Sequence, residues 1–287
     1  MASKVKRQPR RRSAAAGAAL NGDQPGLGQA ERHNAIVQLI MSQGTVRTEE
    51  LAERFGVSMM TIHRDLDTLE ARGLLRKSRG VATAVATSLV EASTAYRMTQ
   101  NVPEKRALAR AAFEFVEPGQ AIIMDDSTTG LFLAELLPQR QPMSVITNFQ
   151  MVLNALSGKP GVTLISLGGQ YYQWCDAYMG NLTINAMRGL RADVLFMSTS
   201  AITDDVCFHQ AHDTVLVKRA MFDSAKRRIL YVDHTKFRRR ALHALVALSE
   251  FDVVIVDDKT DPEDLRRLER TGVTVAVAQT NQEEDAG

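Results

Sequence analysis

From Glu104 onward the chain alternates short apolar runs with helical periods, and this alternation restricts the possible fold more than any other feature. Residues 121–124, 143–146, 162–167, 194–197, 228–232 and 253–256 each read as one buried strand. Repeated strand–helix units predict an α/β domain with a mainly parallel, covered sheet, and ligands then collect beyond the carboxyl ends of its strands. With 45% hydrophobic and 24% charged residues over 287 positions, the chain has ample apolar side chain to bury, which excludes disorder throughout. A helical membrane span is also excluded, because stretches such as 251–256 fall far short of the roughly 18 apolar residues required.

Ahead of this region the pattern is helical. Ile36, Val37, Leu39 and Ile40 recur at helical spacing, and Gln43-Gly44 ends that helix. Thr48 is expected to cap a short second helix, with Glu49, Glu50 and Glu53 near its positive end and Leu51, Ala52 and Phe55 on its inner face. Gly56 supplies a tight turn, Val57 tucks inward, and Ser58 caps a third helix over 59–72, whose stripe is Ile62, Leu66 and Leu69. Gly73 stops it, and 74–85 reads as a small hairpin. Two helices joined through a glycine turn form a helix-turn-helix, which props the N-terminal turn of the third helix into the major groove. The residues expected to face DNA are Ser58, Met59, Thr61, His63 and Arg64, with Arg76, Lys77 and Arg79 on a wing. Spacing alone leaves a plain three-helix bundle open, since the charges from 31 to 85 nearly cancel.

The net charge of +2 hides an asymmetry. Lys4, Lys6, Arg7, Arg10, Arg11 and Arg12 stand against Asp23 in the first thirty residues, a local +5 that leaves −3 for the rest. The arm suits nucleic acid or a solubilising tail equally. Its Ala-rich run is too short and weakly apolar for an export signal. Cys175 and Cys207 cannot form a disulfide framework, lack metal-ligand spacing, and fit a reducing cytoplasm. The expected organisation is a disordered basic arm (1–29), a winged helix-turn-helix (30–85), a linker (86–103), a larger α/β domain (104–260), and a C-terminal strand with an acidic tail (261–287).

Val57-Ser58-Met59-Met60-Thr61-Ile62-His63-Arg64-Asp65-Leu66, followed by Leu69-Glu70 and Gly73-Leu74-Leu75-Arg76, resembles the recognition helix and wing of the DeoR/GlpR-type bacterial transcriptional regulators. Two positions depart from that pattern: His63 replaces the first of an arginine pair, and Arg79-Gly80-Val81-Ala82 stands for the usual His-Gly-Gly-Ala. The resemblance extends to about Asp258 through Asp125-Asp126-Ser127-Thr128-Thr129, where Ser127 replaces a glycine, through Val217-Lys218-Arg219-Ala220-Met221, and through Asp233-His234-Thr235-Lys236-Phe237.

This resemblance implies a sensor domain similar to sugar-phosphate isomerases, receiving a phosphorylated sugar or polyol. Carried over by position, the loop of Asp125, Asp126, Ser127, Thr128 and Thr129 grips the phosphate. Thr147, Asn148, Gly168 and Gly169 line the floor, and Lys218 and Lys236 supply positive charge. A homo-oligomer, dimer or tetramer, is likewise implied. The expected partners are operator DNA and the effector, with no membrane, no cofactor and no metal: His209, His212 and Asp213 have usable spacing but lack further ligands. Trp174 with Tyr171, Tyr172 and Tyr178 is expected as pocket wall or subunit contact, and Arg238-Arg239-Arg240 as surface. The leading expectation is a repressor of a carbohydrate catabolic operon. The alternatives are a sugar-phosphate isomerase with an accessory helical domain, using Asp125, Asp126, Asp204 or Asp205 as base, and a constitutive architectural DNA binder.

Overall fold

The computed structural model of the chain describes residues 27–71, 74–84 and 91–281. Most of the basic arm, Arg72 and Gly73, the first part of the expected linker and the end of the acidic tail lie outside the described residues.

The N-terminal unit runs α1 (Gln29–Gln43), β1 (Thr45–Arg47), α2 (Thr48–Phe55), α3 (Met59–Ala71), β2 (Leu75–Ser78) and β3 (Val81–Ala84). Gly56 ends α2 at φ 61°, a left-handed conformation that its missing Cβ permits. Ser58 starts α3 as its chemistry suggests, its Oγ accepting the Thr61 N–H at 3.2 Å. Thr48 does not cap α2. It is the first helical residue, following Arg47, and its hydroxyl donates to the Gly80 carbonyl at 3.1 Å, which ties α2 to the hairpin turn. Strand β1 has no counterpart in the sequence reading: three residues are too few to show a period. It pairs antiparallel with β3, giving the order β1-β3-β2. This sheet closes over Ile36, Ile40, Leu51, Ile62, Leu66 and Leu69, so the unit is a winged helix rather than a plain bundle.

The larger unit begins earlier than the strand pattern suggests. Its elements are α4 (Thr94–Thr99), α5 (Val102–Phe113), β4 (Ala121–Met124), α6 (Thr128–Leu136), β5 (Met143–Thr147), α7 (Gln150–Leu156), β6 (Val162–Ser166), β7 (Gln170–Tyr172), β8 (Ala177–Met179), α8 (Asn181–Arg188), β9 (Ala192–Met197), β10 (Ala201–Thr203), β11 (Val206–His209), α9 (His212–Asp223), β12 (Ala225–Val232), β13 (His243–Ala247), β14 (Val253–Asp257), α10 (Pro262–Arg270) and β15 (Thr274–Ala278). Seven of the strands form a parallel sheet in the order β15-β14-β12-β9-β4-β5-β6. Six are the expected apolar runs, and the tail supplies the seventh. From β4 the chain builds outward through β5 and β6, then returns to place β9 on the other side. The strand order therefore reverses between β4 and β9.

A short antiparallel sheet, β10-β11-β13, and the hairpin β7–β8 sit outside the main sheet. The segment expected as a linker instead carries α4 and the start of α5, with Glu91, Ala92, Ser93 and Thr94 buried. No helix among the described residues is long and apolar enough to cross a membrane.

Candidate functional site

On the winged helix, Ile62, Leu66 and Leu69 point into the core and the opposite face of α3 is open. Ser58, Met59 and Arg64 are exposed there, and Thr61 and His63 are half-buried. Met60, 65% exposed on the first turn, went unnoticed in the sequence because the stripe assigns it to neither face. On the hairpin, Arg76 and Arg79 are exposed. Lys77 is already engaged: its Nζ lies 2.6 Å from Asp67 Oδ1, and its backbone N–H donates to Glu70 Oε1 at 2.9 Å. It pins the wing to α3 rather than presenting a free charge.

The second site is a cavity beyond the carboxyl ends of β4, β9 and β12, at the reversal of strand order where parallel sheets commonly bind ligands. The loop after β4 contributes Asp126, Ser127, Thr128 and Thr129. Ser127 Oγ accepts the Gly130 N–H at 3.1 Å and starts α6, whose first residues Thr128 and Thr129 line the cavity, a helix start being a position that favours anions. A Cβ on Gly130 would meet Tyr231 Oη at 2.9 Å, so glycine is needed for that ring to reach the loop.

Asp125 lies behind this loop and outside the lining, contrary to expectation. Its Oδ1 accepts the Ser127 N–H at 3.1 Å and its Oδ2 the Ser198 N–H at 2.8 Å, so it shapes the site from beneath. Lys218 is also spent internally, with Nζ 2.5 Å from Asp125 Oδ2 and 3.1 Å from Asp126 Oδ1. Burial opposes its charge, but the two carboxylates outweigh burial and raise its pKa. It lines the cavity as a neutralised lysine, not as the expected free cation.

Positive charge enters from elsewhere. Lys105 on α5, Arg97 on α4, and Lys236 and Arg239 after β12 line one end, with Asp233 among them. Burial and the neighbouring Lys236 and Arg97 push the Lys105 pKa from 10.5 down to about 7. Its ammonium donates to the Arg97 carbonyl. Arg97 donates through Nη2 to Thr94 Oγ1 at 2.9 Å, while its buried Nε has no hydrogen-bond partner among the described residues. Arg239 therefore separates from its neighbours in the triple arginine: Arg238 pairs with Asp261 and Asp264 on the surface. Lys105, Arg97 and Glu91 escaped the sequence reading because they precede the first strand of the sheet. Ser198, Thr199 and Ser200 follow β9, so the carboxyl-end rule had the power to find them.

Thr147, Asn148, Gly168 and Gly169 do not line the cavity. Asn148 instead anchors the β7–β8 hairpin, its Nδ2 donating to the Tyr178 carbonyl at 2.9 Å, and the Gly168 carbonyl accepts from Thr183 Oγ1 of α8 at 2.6 Å. Gly169, at φ 125°, has no room for a Cβ beside Thr183. Trp174, Tyr171, Tyr172 and Tyr178 belong to this hairpin and also stand apart from the cavity. Asp204 and Asp205 form the β10–β11 turn, with Asp205 held 3.0 Å from Arg267, and neither reaches the cavity. Among the described residues no three His, Cys, Asp or Glu side chains converge on a metal position.

The two units meet at the segment that walls the cavity. The Thr94 N–H donates to the Trp174 carbonyl at 2.9 Å in the hairpin turn. One residue earlier, Ser93 Oγ lies 3.4 Å from Thr45 Oγ1 at the start of β1. Gly44, at φ 78°, packs so closely there that a Cβ would overlap Ser93 and come 3.3 Å from Trp174 Cα.

Comparison with known proteins gives a consistent result. The family described as DeoR-like helix-turn-helix domain matches residues 32–88, and the DeoR C terminal sensor domain matches residues 100–258. The glycerol-3-phosphate regulon repressor of Escherichia coli K12 is 32% identical over 230 residues, covering 80% of this chain and 91% of that protein. The HTH-type transcriptional regulator GlpR of Haloferax volcanii is 30% identical, covering 86% and 96% respectively. Among solved structures, ribose 5-phosphate isomerase A from Neisseria gonorrhoeae overlaps 50% of this chain and 56% of that one, with TM-score 0.37 and 16% identity, a distant and partial likeness.

Proposed function

The chain belongs to the DeoR family of helix-turn-helix transcriptional regulators, and on that premise we propose that it represses a carbohydrate operon until a phosphorylated sugar or polyol fills the cavity. As a member of a repressor family, its winged helix engages operator DNA. The single observation that carries the effector reading is the convergence of Lys105, Lys236, Arg239 and Arg97 opposite the start of α6. Four cationic side chains in one cavity with the start of α6 and the Thr128 and Thr129 hydroxyls suit a phosphate dianion, with Asp233 among them and Glu91 and Asp126 beside Arg97.

The arrangement also supports a route from ligand to DNA. Arg97 and Ser93 lie on one continuous segment, four residues apart. Arg97 faces the cavity, while Ser93 touches the junction of α1 and β1. A ligand that draws Arg97 inward moves Ser93 against that junction and tilts the winged helix. Two paired recognition helices must lie roughly 34–36 Å apart to engage one operator, so a small tilt is enough to release it. The effector acts only through its differential affinity for the two states, typically about 1–3 kcal/mol.

A thermal-shift screen against phosphorylated sugars and polyols, repeated with an operator fragment present, tests this reading. A ligand that raises the melting temperature alone and lowers operator affinity is expected. Absence of any ligand response, with intact operator binding, would point instead to a constitutive DNA binder.

A further inference from the structure

The cavity has two chemically different ends. Lys105 is surrounded by Lys236, Arg97, Asp233 and Arg239, whereas His209 is surrounded by Glu91, Lys218, Asp126 and Arg97. If the first end takes the phosphate, the second meets whatever the effector carries at its other end.

That second end is rich in acceptors and poor in free cations. Glu91 is buried, with Oε1 accepting the Ala92 N–H at 3.0 Å and Oε2 accepting the Ser200 hydroxyl. Each carboxylate oxygen retains a further lone pair. Burial opposes ionisation of Glu91, but Arg97 and Lys236, with the hydrogen bond from Ser200, outweigh it and hold the pKa below the ordinary value, so the group is an anion. Asp126 is a second anion, its pKa held down by Lys218 and Arg97 against burial. Lys218 is shared with Asp125, so it does not cancel both charges.

His209 adds no cation. Its Nδ1 accepts the Ala211 N–H at 3.0 Å, which places the single ring proton on Nε2. Burial drives its pKa down to about 4, so it stays neutral at physiological pH. Lys236 also reaches Glu91, so the count is taken over the whole lining, where Arg97, Lys105, Lys236 and Arg239 against Glu91, Asp126 and Asp233 leave one positive charge, which a phosphate dianion more than uses up.

We propose that Glu91 and His209 read the non-phosphorylated end of the effector and admit only an uncharged, hydroxyl-bearing terminus. The effector class is then a sugar or polyol monophosphate. Phosphoaldonates and bisphosphates are rejected, because a terminal anion would be buried against Glu91 and Asp126 after the phosphate has used up the one positive charge in excess. Hydroxyls satisfy the spare acceptors of Glu91, and the His209 Nε2–H donates to a hydroxyl oxygen. This inference rests on the phosphate reading above, and its test separates the two.

The full chain is titrated calorimetrically with inorganic phosphate and with four- to six-carbon aldose monophosphates, each paired with its phosphoaldonate. Inorganic phosphate reports the cation end alone. If it fails to bind, the phosphate reading falls and this inference falls with it. If it binds, at least one aldose monophosphate is expected to bind tighter, and its phosphoaldonate about tenfold weaker than that parent. Glu91→Gln removes the charge while its amide oxygen still accepts the Ala92 N–H and its amide N–H donates to the Ser200 oxygen in a reversed bond. It is expected to bring this ratio near one, any change in phosphate affinity acting on both members of a pair alike. A phosphoaldonate that equals its parent in the wild-type chain overturns the proposal, whether or not the variant folds. So does a ratio untouched by Glu91→Gln, or a panel in which nothing exceeds inorganic phosphate.

Discussion

Arg32 Nε lies 2.6 Å from Asp65 Oδ2 and its Nη2 lies 3.2 Å from Oδ1, a two-point contact in which both side chains are nearly sealed from solvent. His33 Nε2 completes the cluster at 2.9 Å from Oδ1. The contact joins α1 to α3 and fixes the rotation of the helix that faces DNA. Asp65 thus has a structural purpose inside a motif whose neighbours face the groove.

Removing one partner of a buried pair strands the other charge, at a cost of about 3–5 kcal/mol. Asp65→Ala is therefore expected to unfold the winged helix well before the larger unit, read as an early urea transition with loss of operator binding. Burial opposes the Asp65 charge, but the hydrogen bonds from Arg32 and His33 outweigh it and lower its pKa below 3.8. The folded state then binds fewer protons than the unfolded state near that pH. Stability from this cluster is fully present above about pH 4 and falls as pH drops through the lowered pKa.

Arg64 stands exposed on the open face of α3, whereas Lys77 is held by Asp67. Arg64→Ala is expected to lower operator affinity by about 1–3 kcal/mol if it reads a base edge, enough to abolish a gel shift at limiting protein. Arg76→Ala is expected to cost more than Lys77→Ala, because Lys77 must first leave its carboxylate. Effector-induced thermal shifts are expected to survive all three changes. Unaltered operator binding by Arg64→Ala would reverse the orientation assigned to α3.

The sheet was readable because a strand buried on both faces is a continuous apolar run, as in Val253–Asp257, where every residue is buried. Strand β1 was not, since only Val46 of its three residues is buried. The loop of Ser127, Thr128 and Thr129 and the cation Lys236 were accessible because they follow strand ends. The same rule misplaced Thr147, Asn148, Gly168 and Gly169. They also follow strand ends, but those of β5 and β6, where Asn148 holds Tyr178 of the β7–β8 hairpin and Gly168 is held by Thr183 of α8. Lys218 was misjudged for another reason: a sequence gives no sign that Asp125 and Asp126 already claim it. Lys105 and Glu91 enter the site only because the chain wraps back over the sheet before its first strand.

Gly44 offers a way to break the link between the two units without touching either site. Its positive φ and the absence of space beside Ser93 make any Cβ costly, by about 1–3 kcal/mol. Gly44→Ala is expected to push Ser93 away and to shrink the effector's influence on operator affinity while both ligands still bind. Adding Ser93→Gly opens the space and is expected to restore part of the coupling. Operator titrations with and without saturating effector measure it. Coupling unchanged in Gly44→Ala would remove the 93–97 segment from the route.

Lys105 sets the pH dependence of effector binding. At a pKa of about 7, its amine is largely neutral at pH 8, with Lys236, Arg97, Asp233 and Arg239 facing it. A bound phosphate dianion favours the ammonium, so binding above pH 7 must draw a proton from solution, and affinity falls by up to about tenfold per pH unit there. Below about pH 6 the phosphate itself gains a proton and loses half its charge. Affinity is therefore expected to peak between about pH 6 and 7. Lys105→Met removes the titrating group at similar length, so its affinity is expected to be lower at pH 6.5 and nearly level from pH 7 to 8. Lys236, whose pKa burial also lowers, adds its own decline at higher pH in both proteins. Calorimetry in buffers of different ionisation enthalpy counts the protons directly: close to one taken up per effector at pH 8 in the wild-type chain, and close to none in the variant. Equal proton uptake by both would assign the titration to a different group.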